Sequence, residues 1–60
     1  MTFVVEVWNG RRWAKVRGPE GGPWSLKSRA ERIAEGRQNA PRRASSTDGL
    51  PHRVTERKAA

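Results

Sequence analysis

The chain has no cysteine. That excludes a disulfide framework, a thiolate metal site and a thiol nucleophile. It has one histidine, His52, so no histidine-built metal site is on offer. No apolar run approaches the roughly 20 residues a membrane-spanning helix needs. Strand-like residues begin almost at the first position, so no leader is expected, and the chain reads as cytoplasmic. Large apolar side chains are scarce as well. In a chain of 60 residues the core candidates are Phe3, Val5, Val7, Val16, Trp24, Leu26 and Ile33, with Leu50 and Val54 less certain. Each contributes about 1.5–3 kcal/mol when buried, against about 1–2 kcal/mol of backbone entropy for every ordered residue. So thin a core makes a homodimer an expectation.

Carboxylates are few. Six Asp and Glu face 13 Lys and Arg, for a net charge of +7, and only three of the cations are lysine. A small basic domain is the electrostatic footprint of a polyanion partner. A GC-rich genome also favours arginine, so charge alone does not name the partner.

What is present in strength is a hairpin. Thr2 to Trp8 and Arg11 to Arg17 are rich in β-branched and aromatic residues, with Asn9-Gly10 between them. Asn-Gly tolerates the positive φ of a tight turn and is the strongest short-range hairpin signal. A two-residue loop pairs Trp8 with Arg11. A four-residue loop pairs Trp8 with Trp13, Glu6 with Lys15 and Val5 with Val16. The longer loop is favoured, because Trp–Trp and Glu–Lys cross-strand pairs each add roughly 0.2–1 kcal/mol. Either loop places Phe3, Val5, Val7, Ala14 and Val16 on one face, interrupted by Arg12. The other face carries Val4, Glu6, Trp8, Arg11, Trp13, Lys15 and Arg17.

Gly18 to Pro23 holds three glycines and two prolines and reads as a turn. Trp24 then ends a very short third strand or plugs one end of the core; the plug is the preferred reading. A helix is expected over Leu26–Gln38, with Leu26, Ala30, Ile33, Ala34 and Arg37 on one stripe. Ser25 is the preferred N-cap over Ser28 with Glu31. Gly36 is either the residue just past the helix or part of it, and Pro41 stops the helix in either case.

Residues 39–51 read as a flexible linker or loop after a 1–38 core. Residues 52–60 are either a last strand, centred on Val54, or a basic tail. The expected fold is α+β: a small antiparallel β-hairpin with one packed helix, ββα, or ββαβ if the C-terminal segment returns to the hairpin.

Nothing here assembles a catalytic centre. His52 is expected to be exposed, and Ser45 and Ser46 have no evident base. Glu31 and Glu35 read as a solvated helix face. Arg42-Arg43-Ala44-Ser45 matches a basophilic kinase site, a match that any Arg-rich segment makes by chance. The protein is expected to be no enzyme and to need no metal or cofactor. The notable feature is the second hairpin face, where Trp8 and Trp13 lie among Arg11, Lys15 and Arg17. Guanidinium groups bind phosphates and guanine edges, and tryptophan stacks or packs on sugar. These residues, with Arg42, Arg43 and the C-terminal basic residues as added phosphate contacts, are the candidate nucleic-acid site, DNA favoured over RNA. Trp and Arg are also hot-spot residues of protein interfaces. The alternative is therefore an interaction module, such as a phage product docking on a host protein through Trp8 and Trp13. A further alternative is a homodimer that buries this face.

Gly10-Arg11-Arg12-Trp13-Ala14-Lys15-Val16-Arg17, followed by a Gly/Pro turn and Ser28-Arg29-Ala30-Glu31-Arg32, resembles small sheet-plus-helix DNA-binding domains. These include the arm-type domains of phage tyrosine integrases and the plant AP2 domains. The resemblance covers about residues 9–35. It implies that the outer sheet face enters the major groove, with Arg11, Trp13, Lys15 and Arg17 in contact with DNA. It also implies a third strand between the turn and the helix, where only Pro23-Trp24-Ser25 stands. The pattern is similar, too, to short proteins of actinobacteria and their phages.

Overall fold

A computed structural model describes residues 1–43 and 46–57. Strand β1 (Thr2–Trp8) and strand β2 (Trp13–Lys15) form the hairpin. A single 3₁₀ turn, Pro19–Gly21, leads to helix α1 (Lys27–Gln38), and strand β3 (His52–Arg57) follows. The sheet is antiparallel in the order β2-β1-β3, so β1 is central and the fold is ββαβ, a small α+β domain.

The hairpin takes the four-residue loop. Glu6 pairs with Lys15, Val7 with Ala14 and Trp8 with Trp13. Val16 N–H donates to Val5 O at 2.9 Å, which carries the register one step beyond β2. Asn9 builds the turn. Its Oδ1 accepts from the backbone N–H groups of Arg11 and Arg12, each at 2.9 Å, and Gly10 supplies φ +95°. Arg12 therefore lies in the loop, exposed, and does not interrupt the inner face.

That inner face meets the helix. Val5, Val7 and Val16 are buried with Ala30 and Ala34, and Phe3, Trp24, Ile33, Leu50 and Val54 pack around them. The helix presents two alanines, so it lies close to the sheet without needing large side chains between them. Leu26, expected in the core, is instead 57 % exposed. The cause is Trp24, which exchanges backbone hydrogen bonds with Phe3 at 2.7 and 2.8 Å in a single-residue bridge. Trp24 is thus both sheet edge and core plug. The chain leaves that bridge in extended conformation through Leu26, which becomes the N-cap at φ −109°, ψ 122°, and Ser25 makes no cap. Gly36 is inside the helix.

The turn before Trp24 is tight against Val16, the residue just past β2. A Cβ on buried Gly21 would lie 2.0 Å from Val16 O, so no larger residue fits without moving backbone.

Where composition suggests a linker over 39–51, residues 46–51 are held by specific bonds. Gly49 N–H donates to Arg37 O at 2.8 Å, and Trp8 N–H donates to Pro51 O at 2.9 Å. Arg37 extends the helix stripe into this segment. Its guanidinium reaches Glu20 at 2.7 Å and Asp48 at 3.5 Å. Leu50, between these ties, packs on the core.

His52 is a second correction. It is 9 % exposed, on the inner face beside Val7, not at the surface. Its backbone N–H donates to Gln38 Oε1 at 2.9 Å, and Nδ1 donates to Leu50 O at 2.7 Å. Nε2 is buried with no partner among the described residues. Residues 58–60 of the expected basic tail, and Ala44 and Ser45 of the kinase-site match, lie outside the described residues.

Candidate nucleic-acid interface

Strand alternation selects the outer face. Thr2, Val4, Glu6 and Trp8 of β1 share it with Trp13 and Lys15 of β2 and with the β3 residues opposite them, Arg53, Thr55 and Arg57. Arg11 in the turn and Arg17 just beyond β2 are exposed. The face is better covered than a hairpin alone allows. Val4 is 4 % exposed, because β1 is the central strand and its neighbours shield it on both sides.

Trp8 and Trp13 are cross-strand partners, half-buried, with ring centroids 5.6 Å apart and planes at 60°. Such edge-to-face pairs add about 0.5–1.5 kcal/mol beyond area burial. Arg53 reaches across β1 from β3, so that its Cζ lies 4.4 Å from the Trp13 ring centroid. Its Nε donates to Glu6 Oε1 at 2.8 Å. Arg57 Nη2 approaches the other carboxylate oxygen at 3.5 Å. A ring on one side and a carboxylate on the other hold the Arg53 guanidinium.

Glu6 is 8 % exposed. Burial pushes its carboxyl upward from the ordinary 4.5. The Arg53 hydrogen bond and the charges of Arg53 and Arg57 outweigh that and hold it below. The Thr55 hydroxyl pulls the same way, although Oγ1 has no hydrogen-bond partner. The carboxylate is therefore an internal counter-ion and not an exposed negative charge. Beside it stand Lys15, Arg53 and Arg57, and Arg11 and Arg17 are exposed at either side of β2 in the chain. The remaining acidic residues lie elsewhere: Glu20 and Asp48 hold Arg37, Glu31 and Glu35 are on α1, and Glu56 is on the inner side of β3.

Of the residues picked from sequence, Trp8, Trp13, Lys15, Arg11 and Arg17 are gathered on or beside this face. Arg42 and Arg43 follow the helix instead. The Arg42 guanidinium is turned into its own loop, donating to Arg43 O and to Ser46 O at 2.8 Å, and Arg43 is exposed. Sequence reasoning counted Arg53 and Arg57 only among the C-terminal basic residues and did not place them on the sheet face. Their signal was the alternation around Val54, which sets Arg53, Thr55 and Arg57 on one side. The pairing partner of that segment was the missing piece. The third strand follows the helix and pairs with β1, whereas a third strand before the helix is represented by the Trp24 bridge alone.

No family model, curated protein or solved structure matches this chain.

Proposed function

We propose that the protein is a small non-enzymatic DNA-binding accessory factor of the cytoplasm that contacts duplex DNA with its outer sheet face. The observation that supports this most directly is Arg53, clamped between Glu6 and the Trp13 ring in the middle of a cationic face. A guanidinium held in this way loses little side-chain freedom on binding. Its bond to Glu6 uses Nε, and the Nη donors outside that bond suit a phosphate or the O6/N7 edge of guanine. Three strands spaced about 4.8 Å apart match a major groove about 12 Å wide. Lys15, Arg11, Arg17 and Arg57 flank the clamp as phosphate contacts. The half-buried Trp8–Trp13 pair acts as a rigid floor, packing on sugar more than intercalating.

The test is tryptophan fluorescence titrated with random-sequence duplex DNA at low and at physiological salt. The expected result is a quench or shift whose midpoint weakens steeply with salt, because displaced counterions drive the binding. Neutralising Arg11 and Lys15 together flattens the slope of log affinity against log salt by about 1–2. No spectral change at either salt, or an unaltered slope in the double variant, refutes this face as the DNA site. In that event capture by a protein partner that is lost in Trp8→Ala becomes the reading to pursue.

A further inference from the structure

We infer that the free edge of β3 pairs with the same edge of a second copy, about a two-fold axis at Val54, to give a continuous antiparallel sheet across a homodimer. This stands apart from the DNA reading and uses a different surface.

The edge is defined by which backbone groups are spent. Phe3 and Val5 turn their backbone groups toward Trp24 and Val16, on the β2 side. Glu6 and Trp8 therefore turn theirs toward β3, as the bond from Trp8 N–H to Pro51 O shows. Opposite them, Arg53 and Thr55 point inward to β1, and His52, Val54 and Glu56 point outward. The His52 N–H is occupied by Gln38 Oε1, which caps the edge at that end. The N–H and C=O of Val54 and Glu56 face away from the sheet, on an edge strand without proline, glycine or an outward bulge. An edge of this kind is a template for another strand. The β2 edge is a poorer one, only three residues long and carrying a lysine.

Charge selects both the occupant and the register. With Val54 opposite Val54 of the second copy, Arg53 faces Thr55, and His52 faces Glu56. No like charges stand directly opposite one another. Sliding the axis to Thr55 sets Arg53 against Arg57, and sliding it to Arg53 sets that arginine against itself. Directly opposed like charges destabilise a strand pair. The two Val54 residues then exchange both of their hydrogen bonds, and each Glu56 N–H reaches a His52 carbonyl, while Gln38 swings aside from the His52 N–H to admit the Glu56 carbonyl. On the helix side an open groove of about 460 Å³ runs between α1 and β3, lined by Lys27, Glu31, Gln38, His52 and Val54 among others. The inner-face Val54 side chain of the added strand enters that space. The two outer faces become coplanar neighbours.

Two measurements on the full chain, without nucleic acid, test the pairing. Sedimentation from micromolar to millimolar concentration is expected to show a monomer–dimer equilibrium. Amide NMR shifts of Val54 and Glu56 should move with concentration while the Trp8 and Trp13 indole signals stay fixed. A synthetic chain with Val54 N-methylated loses the outward donor but no bond to β1, and it should dimerise about tenfold or more weakly with its monomer fold retained. Val54→Pro should behave in the same way, since an outward-facing edge N–H is where proline is tolerated. A monomer at millimolar concentration overturns the inference. So does a dimer unaffected by N-methylation, or one whose concentration-dependent shifts fall on Trp8 and Trp13.

Discussion

A carboxylate among arginines reduces their mutual repulsion, and Glu6 does this from a buried position. Its folded pKa lies below the unfolded 4.5, so the folded state binds the proton less tightly than the unfolded chain. The stabilisation is complete above that value and is lost as pH falls through the folded one. Urea melts should therefore show stability falling below pH 4.5, and Glu6→Gln should flatten the fall over that window. At neutral pH the same substitution is expected to cost about 1–2 kcal/mol, because Arg53 and Arg57 are half-exposed and part of the interaction is screened. Gly21 acts through space, not charge. Gly21→Ala forces a methyl into the Val16 carbonyl and should cost about 2–3 kcal/mol, read as a lower thermal midpoint. A wild-type midpoint in that variant would show that the turn does not press on Val16.

The step from hairpin to helix is governed by Trp24. A serine before an amphipathic run is an ordinary N-cap signal, yet Ser25 is bypassed because its neighbour is already committed to a bridge with Phe3. The segment between α1 and β3 gives the opposite lesson. Its composition is polar and turn-rich, and what orders it is Arg37, a helix residue bonded to Glu20, Thr47 and Asp48. Arg37→Ala should lower stability by about 1–2 kcal/mol and speed hydrogen exchange at Gly49, whose N–H is bonded to the Arg37 carbonyl, before that of Val5 or Val7. Equal acceleration at all of these sites would mean that the segment unfolds only with the rest of the domain.

Three strands side by side give the molecule two unlike faces: one packed on small helix residues, the other cationic over a tryptophan pair. If the outer face binds DNA as proposed, Arg53→Ala should weaken the affinity by about 1–3 kcal/mol, and substitution of Arg43, an exposed residue of the segment after the helix, should leave it nearly unchanged. Equal losses would assign binding to net charge instead of the sheet face. The hairpin, its register and its two faces were readable in the chain, because Asn-Gly, the Trp–Trp and Glu–Lys pairs and the valine alternation are local and agree with one another. The helix was readable for the same reason, apart from its first turn. Local sequence could not place β3. Val54 is its only apolar residue facing inward, and whether it docks depends on the free edge of β1, the helix that covers Val54 and the bonds from Arg37 and Gln38, all distant in sequence. With β3 came the burial of His52 and Glu6 and the clamp on Arg53. Short-range pattern therefore settled the hairpin, most of the helix and the sign of the charge. Long-range pairing on a central strand settled which arginines share a face, because side chains far apart in the chain become neighbours only when the third strand is in register.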